Sequence, residues 1–146
     1  MNLDHLYKHI IMDHAKNRRN YRLIESHTHK VHYKNPTCGD IMTMYAVIKD
    51  DRVKDISFIG EGCFISMASS SMFTMIAKDK KIEEIKDISN LIKNMIVLGS
   101  EAEDSQIQDA ISLKDIHKLP ARHNCALMPW QAFDKLLKVK QEQQIK

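Results

Sequence analysis

At 146 residues, 43% hydrophobic and 28% charged, the chain has the make-up of one ordinary globular domain, long enough to bury a core without disulfide staples. Its 22 basic and 19 acidic residues nearly cancel and are scattered, which argues against nucleic acid as a partner. No apolar leader follows Met1 and no apolar stretch reaches the roughly 18 residues of a membrane span, so the chain is read as cytoplasmic, with no membrane partner and reduced thiols.

In chain order, Leu3, Leu6, Tyr7, Ile10, Ile11 and His14 recur at helical spacing and predict an amphipathic helix over 3–16. Residues 17–29 are polar and basic, a loop. His29 to Lys34 alternates weakly, as an edge strand would, and Asn35-Pro36 stops it. Met42, Met44, Ala46 and Ile48 share one side of a second strand, Lys49 to Arg52 make a turn, and Val53 to Ile59 returns with Ile56 and Phe58 on one face. Gly60-Glu61-Gly62 is expected to end this hairpin.

A helix then starts near Ile65 with Ser66 as its N-cap, carrying Ile65, Ala68, Ser69, Met72 and Ile76 on one face. The next helix spaces Ile82, Ile85, Ile88, Leu91, Ile92, Met95 and Ile96 along its core side and stops at Gly99. Residues 100–106 are an acidic loop, short helical pieces follow around 107–117, and a last helix starts near Cys125 and carries Trp130, Phe133, Leu136 and Leu137. Its lysine- and glutamine-rich tail, 138–146, is expected to fray. Strands first and helices afterwards predict an α+β fold: a small antiparallel sheet of about three strands with helices packed on one face. Residues 1–146 are read as a single domain.

The chemistry concentrates in three cysteines. Cys38 stands in Asn35-Pro36-Thr37-Cys38-Gly39-Asp40, Cys63 in Gly60-Glu61-Gly62-Cys63-Phe64-Ile65-Ser66, and Cys125 in Pro120-Ala121-Arg122-His123-Asn124-Cys125-Ala126. An odd count in a reducing compartment points to metal or reactive-thiol chemistry. Gly39 lets the Cys38 thiolate and the Asp40 carboxylate turn toward one centre, and three thiols with one carboxylate suit a tetrahedral metal site. Cys63 and Cys125 are expected just before helices, whose positive N-terminal ends favour thiolate. The gaps of 25 and 62 residues, with no CxxC pair, leave a second reading open: three separate buried thiols. Their places at element boundaries beside Gly, Asp, Asn and Arg speak against it.

These three motifs, with the Gly60 to Ser69 run Gly-Glu-Gly-Cys-x-Ile-Ser-x-Ala-Ser and the opening Leu6-Tyr7-x-x-Ile10-Ile11-Met12-Asp13-His14, resemble the IscU/NifU N-terminal family of iron–sulfur assembly proteins over nearly the whole chain. The resemblance is closer to the SufU branch. Asn124 stands where IscU-type scaffolds have a histidine before the third cysteine, and the stretch from about Gly99 to Leu119 looks like the insertion of SufU-type proteins. The resemblance implies an IscU-like fold and zinc held by Cys38, Asp40, Cys63 and Cys125. It implies a sulfurtransferase-like relay in which Cys38 accepts persulfide sulfur from a SufS-type pyridoxal-phosphate cysteine desulfurase and passes it to downstream iron–sulfur assembly proteins. Arg122 matches a family arginine near the site, suited to stabilising thiolate or persulfide. The alternatives are an IscU-type scaffold carrying a transient iron–sulfur cluster on the same cysteines, and a structural zinc module that only mediates contacts.

Other candidates read as ordinary structure. His5 and His9, spaced i, i+4, point off the apolar face of the first helix as a solvated pair. His27, His29 and His32 belong to a polar loop and strand edge. His14 lies on the apolar side of its helix as a packed, hydrogen-bonded histidine. Met42, Met44, Met72 and Met95 fit core stripes, and Ser69-Ser70-Ser71 lacks the surroundings of a nucleophile. Arg18 replaces a family proline in a loop. Pro129 is tolerable in a first helical turn and would kink the last helix if deeper. His123 is in the wrong register to replace the scaffold histidine.

Overall fold

The computed structural model describes residues 3–145; residue 146, the first two residues and the side chains of residues 104 and 140–145 lie outside the description. The chain runs α1 (Leu3–Lys16), β1 (His29–Lys34), β2 (Ile41–Lys49), β3 (Arg52–Glu61), α2 (Phe64–Ala77), α3 (Ile82–Leu98) and α4 (Asp104–Ile107). A 3-10 stretch (Gln108–Lys118), a 3-10 turn (Pro120–Arg122) and α5 (His123–Ile145) complete it. Most of the expected tail, 138–146, therefore falls on side chains outside the description.

The three strands form one antiparallel sheet in the order β1-β2-β3, as the α+β reading requires. The β2–β3 turn puts Asp50 and Asp51 at φ 54° and 60°, the left-handed pair that matches the twist of a tight hairpin. A register shift between Val47 and Ile48 interrupts the ladder beside it, which resumes with Ile48 opposite Val53. Gly60 and Glu61 still pair with Met42 and Ile41, so β3 continues past the expected stop and delivers the chain directly to Cys63.

Met42, Met44, Ala46, Ile56 and Phe58 point from the sheet into the core, where α2 and α5 pack. The α2 helix is buried from Ile65 through Thr74, far beyond the single stripe its apolar residues trace, because α1, the sheet and α5 surround it. Its small hydroxyls make this possible: Ser69 Oγ donates to the Ala126 carbonyl at 2.5 Å and Ser70 Oγ to the Ser66 carbonyl at 2.8 Å. Phe73 meets Trp130 edge to face with ring centroids 4.7 Å apart. The apolar face of α1, by contrast, is buried only at its C-terminal half: Ile11 and His14 are inside, whereas Leu3 and Leu6 are exposed.

Gly99 caps α3 in the left-handed conformation, as expected. Residues 100–106 are not all loop, since α4 begins at Asp104. Beyond it, Ile107, Ala110, Leu113 and Ile116 are buried against the core. His14 fastens this segment: Nδ1 bonds Ser71 Oγ of α2 and Nε2 bonds Asp109 Oδ2, both at 2.8 Å. The trio has the residue types of a hydrolase triad. However, Ser71 is fully buried and its Oγ already accepts the Arg19 backbone N–H at 2.8 Å, so no substrate can reach it.

Helix α5 starts at His123, two residues before the expected point, and Pro129 is its seventh residue. The ring lies beyond the first turn and is accommodated inside the helix; its missing N–H leaves the Cys125 carbonyl without the usual partner four residues on. Among the described residues no helix is long and apolar enough to cross a membrane.

Candidate metal centre

Three segments deliver the thiols to one place. The first is the loop between β1 and β2. Its base is closed by Asn35 N–H to the Asp40 carbonyl at 2.7 Å and Gly39 N–H to the Asn35 carbonyl at 3.1 Å. Gly39 sits at φ +75°, a conformation that side-chain-bearing residues rarely adopt, and this reversal turns Cys38 and Asp40 toward the same centre. Cys38 is exposed at the loop's tip.

The second segment is the start of α2. Cys63 itself is the N-cap, with extended backbone and its sulfur accepting the Ser66 N–H at 3.4 Å. Ser66, expected as the cap, instead lies inside the first turn. Its hydroxyl donates to Asp40 Oδ2 at 2.5 Å and lies 3.2 Å from the Cys63 sulfur, so it ties two of the expected ligands together. The Cys63 N–H also points at Asp40 Oδ2, at 3.4 Å. Gly62 leaves room for this arrangement: a Cβ there would stand 2.9 Å from both the Asp40 carboxyl carbon and the Ser66 hydroxyl.

The third segment is the first turn of α5, where Cys125 is fully buried and its sulfur lies 3.5 Å from that of Cys38. Cys125 is thus inside its helix and not ahead of it, though still near the positive end. The ligand atoms of Cys38, Asp40 and Cys125 all lie within 4.8 Å of one another. Two thiolates on one tetrahedral zinc stand about 3.8 Å apart, given Zn–S bonds of about 2.3 Å, so the observed sulfur pair is close to ligand spacing. Cys63, the fourth expected ligand, is not one of this group; its sulfur lies against Ser66 at the start of α2.

The electrostatics follow from the packing. Burial pushes the Asp40 carboxyl up, but hydrogen bonds from Ser66, Cys38 and Cys63 outweigh it and hold the group below the usual carboxylate range, ionised and ready to bind a cation. Burial, with the neighbouring Cys38 and Cys63, pushes the Cys125 thiol up to about 12. A metal-free Cys125 is thus reluctant to ionise, and a bound cation reverses that preference. Arg122 is exposed; its hydrogen bond to Cys125, then the charges of Cys63 and Cys125, raise its own pKa, so the guanidinium is a fixed positive charge beside the thiols. His123 turns away: its Nε2 bonds the His117 carbonyl at 2.9 Å and its ring stacks on that of His117.

Among the described residues, His27, His29 and His32 form no three-ligand metal group. His27 Nδ1 bonds the Ile24 carbonyl, His29 Nδ1 the Thr28 hydroxyl and His32 Nδ1 the Thr43 hydroxyl, each separately. The sequence reading missed the role of Ser66. The one signal for it was its place three residues after Cys63, where a side chain folds back onto the helix start.

Residues 6–129 match the NifU-like N terminal domain family. The chain is 42% identical over 135 residues to the zinc-dependent sulfurtransferase SufU of Bacillus subtilis, covering 92% of this chain and 90% of that protein. It is 31% identical to the iron–sulfur cluster assembly scaffold protein IscU of Streptococcus pyogenes, covering 93% and 85%. Its fold is similar to the crystal structure of the protein FiSufU from Fervidobacterium islandicum AW-1. That likeness has a TM-score of 0.83 at 29% identity, over 93% of this chain and 99% of that one. On a match across most of its length, this chain belongs to the NifU-like N-terminal domain family.

Proposed function

We propose that this chain is a zinc-dependent acceptor of persulfide sulfur, working as one cytoplasmic domain with a SufS-type cysteine desulfurase and feeding iron–sulfur assembly. The observation that carries the reading is the inequality of the two neighbouring thiols. Cys38 is exposed on a loop, Cys125 is buried in a helix, and their sulfurs are 3.5 Å apart.

Cys38, Asp40, Cys63 and Cys125 would hold the zinc, and the metal would supply the positive charge that keeps the thiols deprotonated and ordered. Cys63 and Cys125, fixed by helix starts, anchor the site. Cys38 is the thiol that can reach a partner. Its thiolate attacks the outer sulfur of the desulfurase persulfide. A new Cys38–sulfur bond forms as the donor's sulfur–sulfur bond breaks, and the electron pair leaves with the donor's cysteine thiolate. Sulfane sulfur changes carrier with no net oxidation. Arg122 places positive charge where the anionic persulfide then sits.

The same donor set suits an iron–sulfur cluster, so a scaffold is the competing reading. Anaerobic purification and incubation with desulfurase and cysteine separate them. The relay predicts stoichiometric zinc, a persulfide mapped to the Cys38 peptide, and faster desulfurase turnover. A brown protein with labile sulfide and no Cys38 persulfide overturns it in favour of the scaffold. A folded Cys38→Ala variant that still stimulates the desulfurase assigns the chain a contact role alone.

A further inference from the structure

Cys38 is carried by an exposed loop, and the structure shows what holds that loop in place. Its base is closed by bonds between Asn35 and Gly39 or Asp40. Thr37 N–H bonds Asn35 Oδ1 at 3.0 Å, which stiffens the loop internally without fastening it to anything else. Gly39 has open space around the position of a missing Cβ, so nothing packs on the far side of the tip.

Asp40, at the loop's far end, is held to α2 by the Ser66 hydroxyl and in turn bonds Cys38. Among the described residues, two hydrogen-bond-range contacts join the tip, Thr37 and Cys38, directly to α5. One is the Cys38–Cys125 sulfur pair. The other is a hydrogen bond from Asn124 Nδ2 to Thr37 Oγ1 at 2.5 Å, spanning 87 positions of sequence. Asn124 precedes Cys125 in the first turn of α5, so this bond ties the exposed thiol's loop to the buried thiol's helix.

We propose that Asn124 and Thr37 form a latch that sets how readily Cys38 swings out of the ligand cluster. The purpose of the motion rests on the relay reading above; the latch itself rests on the bond. Asn124 is a positioning residue, because it touches neither sulfur nor metal and acts through Thr37. A donor amide here holds the loop with one neutral bond at a solvent-exposed place, strong enough to bias the closed state and weak enough to be undone by a docking partner.

The test is the rate of Cys38 alkylation by iodoacetamide, read by peptide mass spectrometry, with Cys63 labelling in the same sample as the internal control. It is run on zinc-loaded and on metal-free protein for wild type, Asn124→Ala, Thr37→Val, the double variant and Thr37→Ser. Losing one hydrogen bond of this kind raises Cys38 labelling about 2- to 10-fold in each single variant. The double variant matches the singles, Thr37→Ser restores the slow rate, and Cys63 labelling does not change. Zinc release to a chelator speeds up in the same order.

Unchanged Cys38 labelling in both forms overturns the latch. So do single-variant effects that multiply in the double variant, or an equal rise at Cys63, which would mean general loosening. The metal-free series decides the latch even if the chain binds no zinc and accepts no sulfur, an outcome that would sink the relay reading separately.

Discussion

The Cys38 loop and the first turn of α5 bring their sulfurs within 3.5 Å, yet they are opposite kinds of structure. The loop is short, exposed and turned by a left-handed glycine. The helix is long, and its residues from Cys125 to Trp130 are buried without interruption. A site made only of loops would lose its metal easily, and one made only of helices would hold every thiol too firmly to exchange. The contrast teaches that two neighbouring thiols can differ sharply in exposure and in the stiffness of what carries them, which is the difference the proposed relay uses.

The sharpest way to break this comparison is at the two sulfurs. Cys38→Ser is expected to abolish sulfur acceptance while leaving the thermal unfolding midpoint of the metal-free protein nearly unchanged, because the side chain is exposed; persulfide mapping and calorimetry of the metal-free form check both. Cys125→Ser is expected to do both kinds of damage. It removes a ligand and puts a shorter hydroxyl in a buried place where it no longer matches the thiol's partners, at a cost of about 1–3 kcal/mol in urea unfolding of the metal-free protein. If the two substitutions destabilise equally, the division between mobile and anchored thiol fails.

Smaller effects sharpen the picture. Ser66→Ala removes the hydroxyl that orients Asp40, and zinc affinity should fall about 10-fold in competition with a chelator, as for other groups that orient a ligand. An unchanged affinity would show that the carboxylate finds its position without help. The mildest effect is on pH. In the metal-free chain the folded state keeps a proton on Cys125 up to about 12, whereas the ordinary value is 9.0. The unfolded state therefore loses that proton first. The contribution to stability is complete below about pH 9 and fades as pH rises toward 12, visible as a falling urea midpoint that Cys125→Ala should flatten.

Much of this was legible in the sequence, for physical reasons. Strand alternation exposed the hairpin because one face of the sheet is buried, and Gly99 marked a helix end because the left-handed cap favours glycine. The cysteine neighbourhoods were legible because turns and caps need particular residues. What stayed hidden depends on the third dimension. Nothing local says that α2 is surrounded, so its buried serines look polar. Nothing local says that α5 begins at His123, because a 3-10 turn over Pro120–Arg122 leads straight into it. The bonds from Ser66 to Asp40 and from Asn124 to Thr37 join residues 26 and 87 positions apart, a separation no periodicity encodes.

The stretch between Gly99 and Leu119 looks, in one dimension, like a removable addition. Ile107, Ala110 and Leu113 are each 0% exposed, and His14 reaches across to Asp109 from the other end of the chain. This segment is therefore part of the chassis and not an accessory. Trimming it would open a hole in the core. A deletion here is a change to the interior, and the chain would have to repack around it.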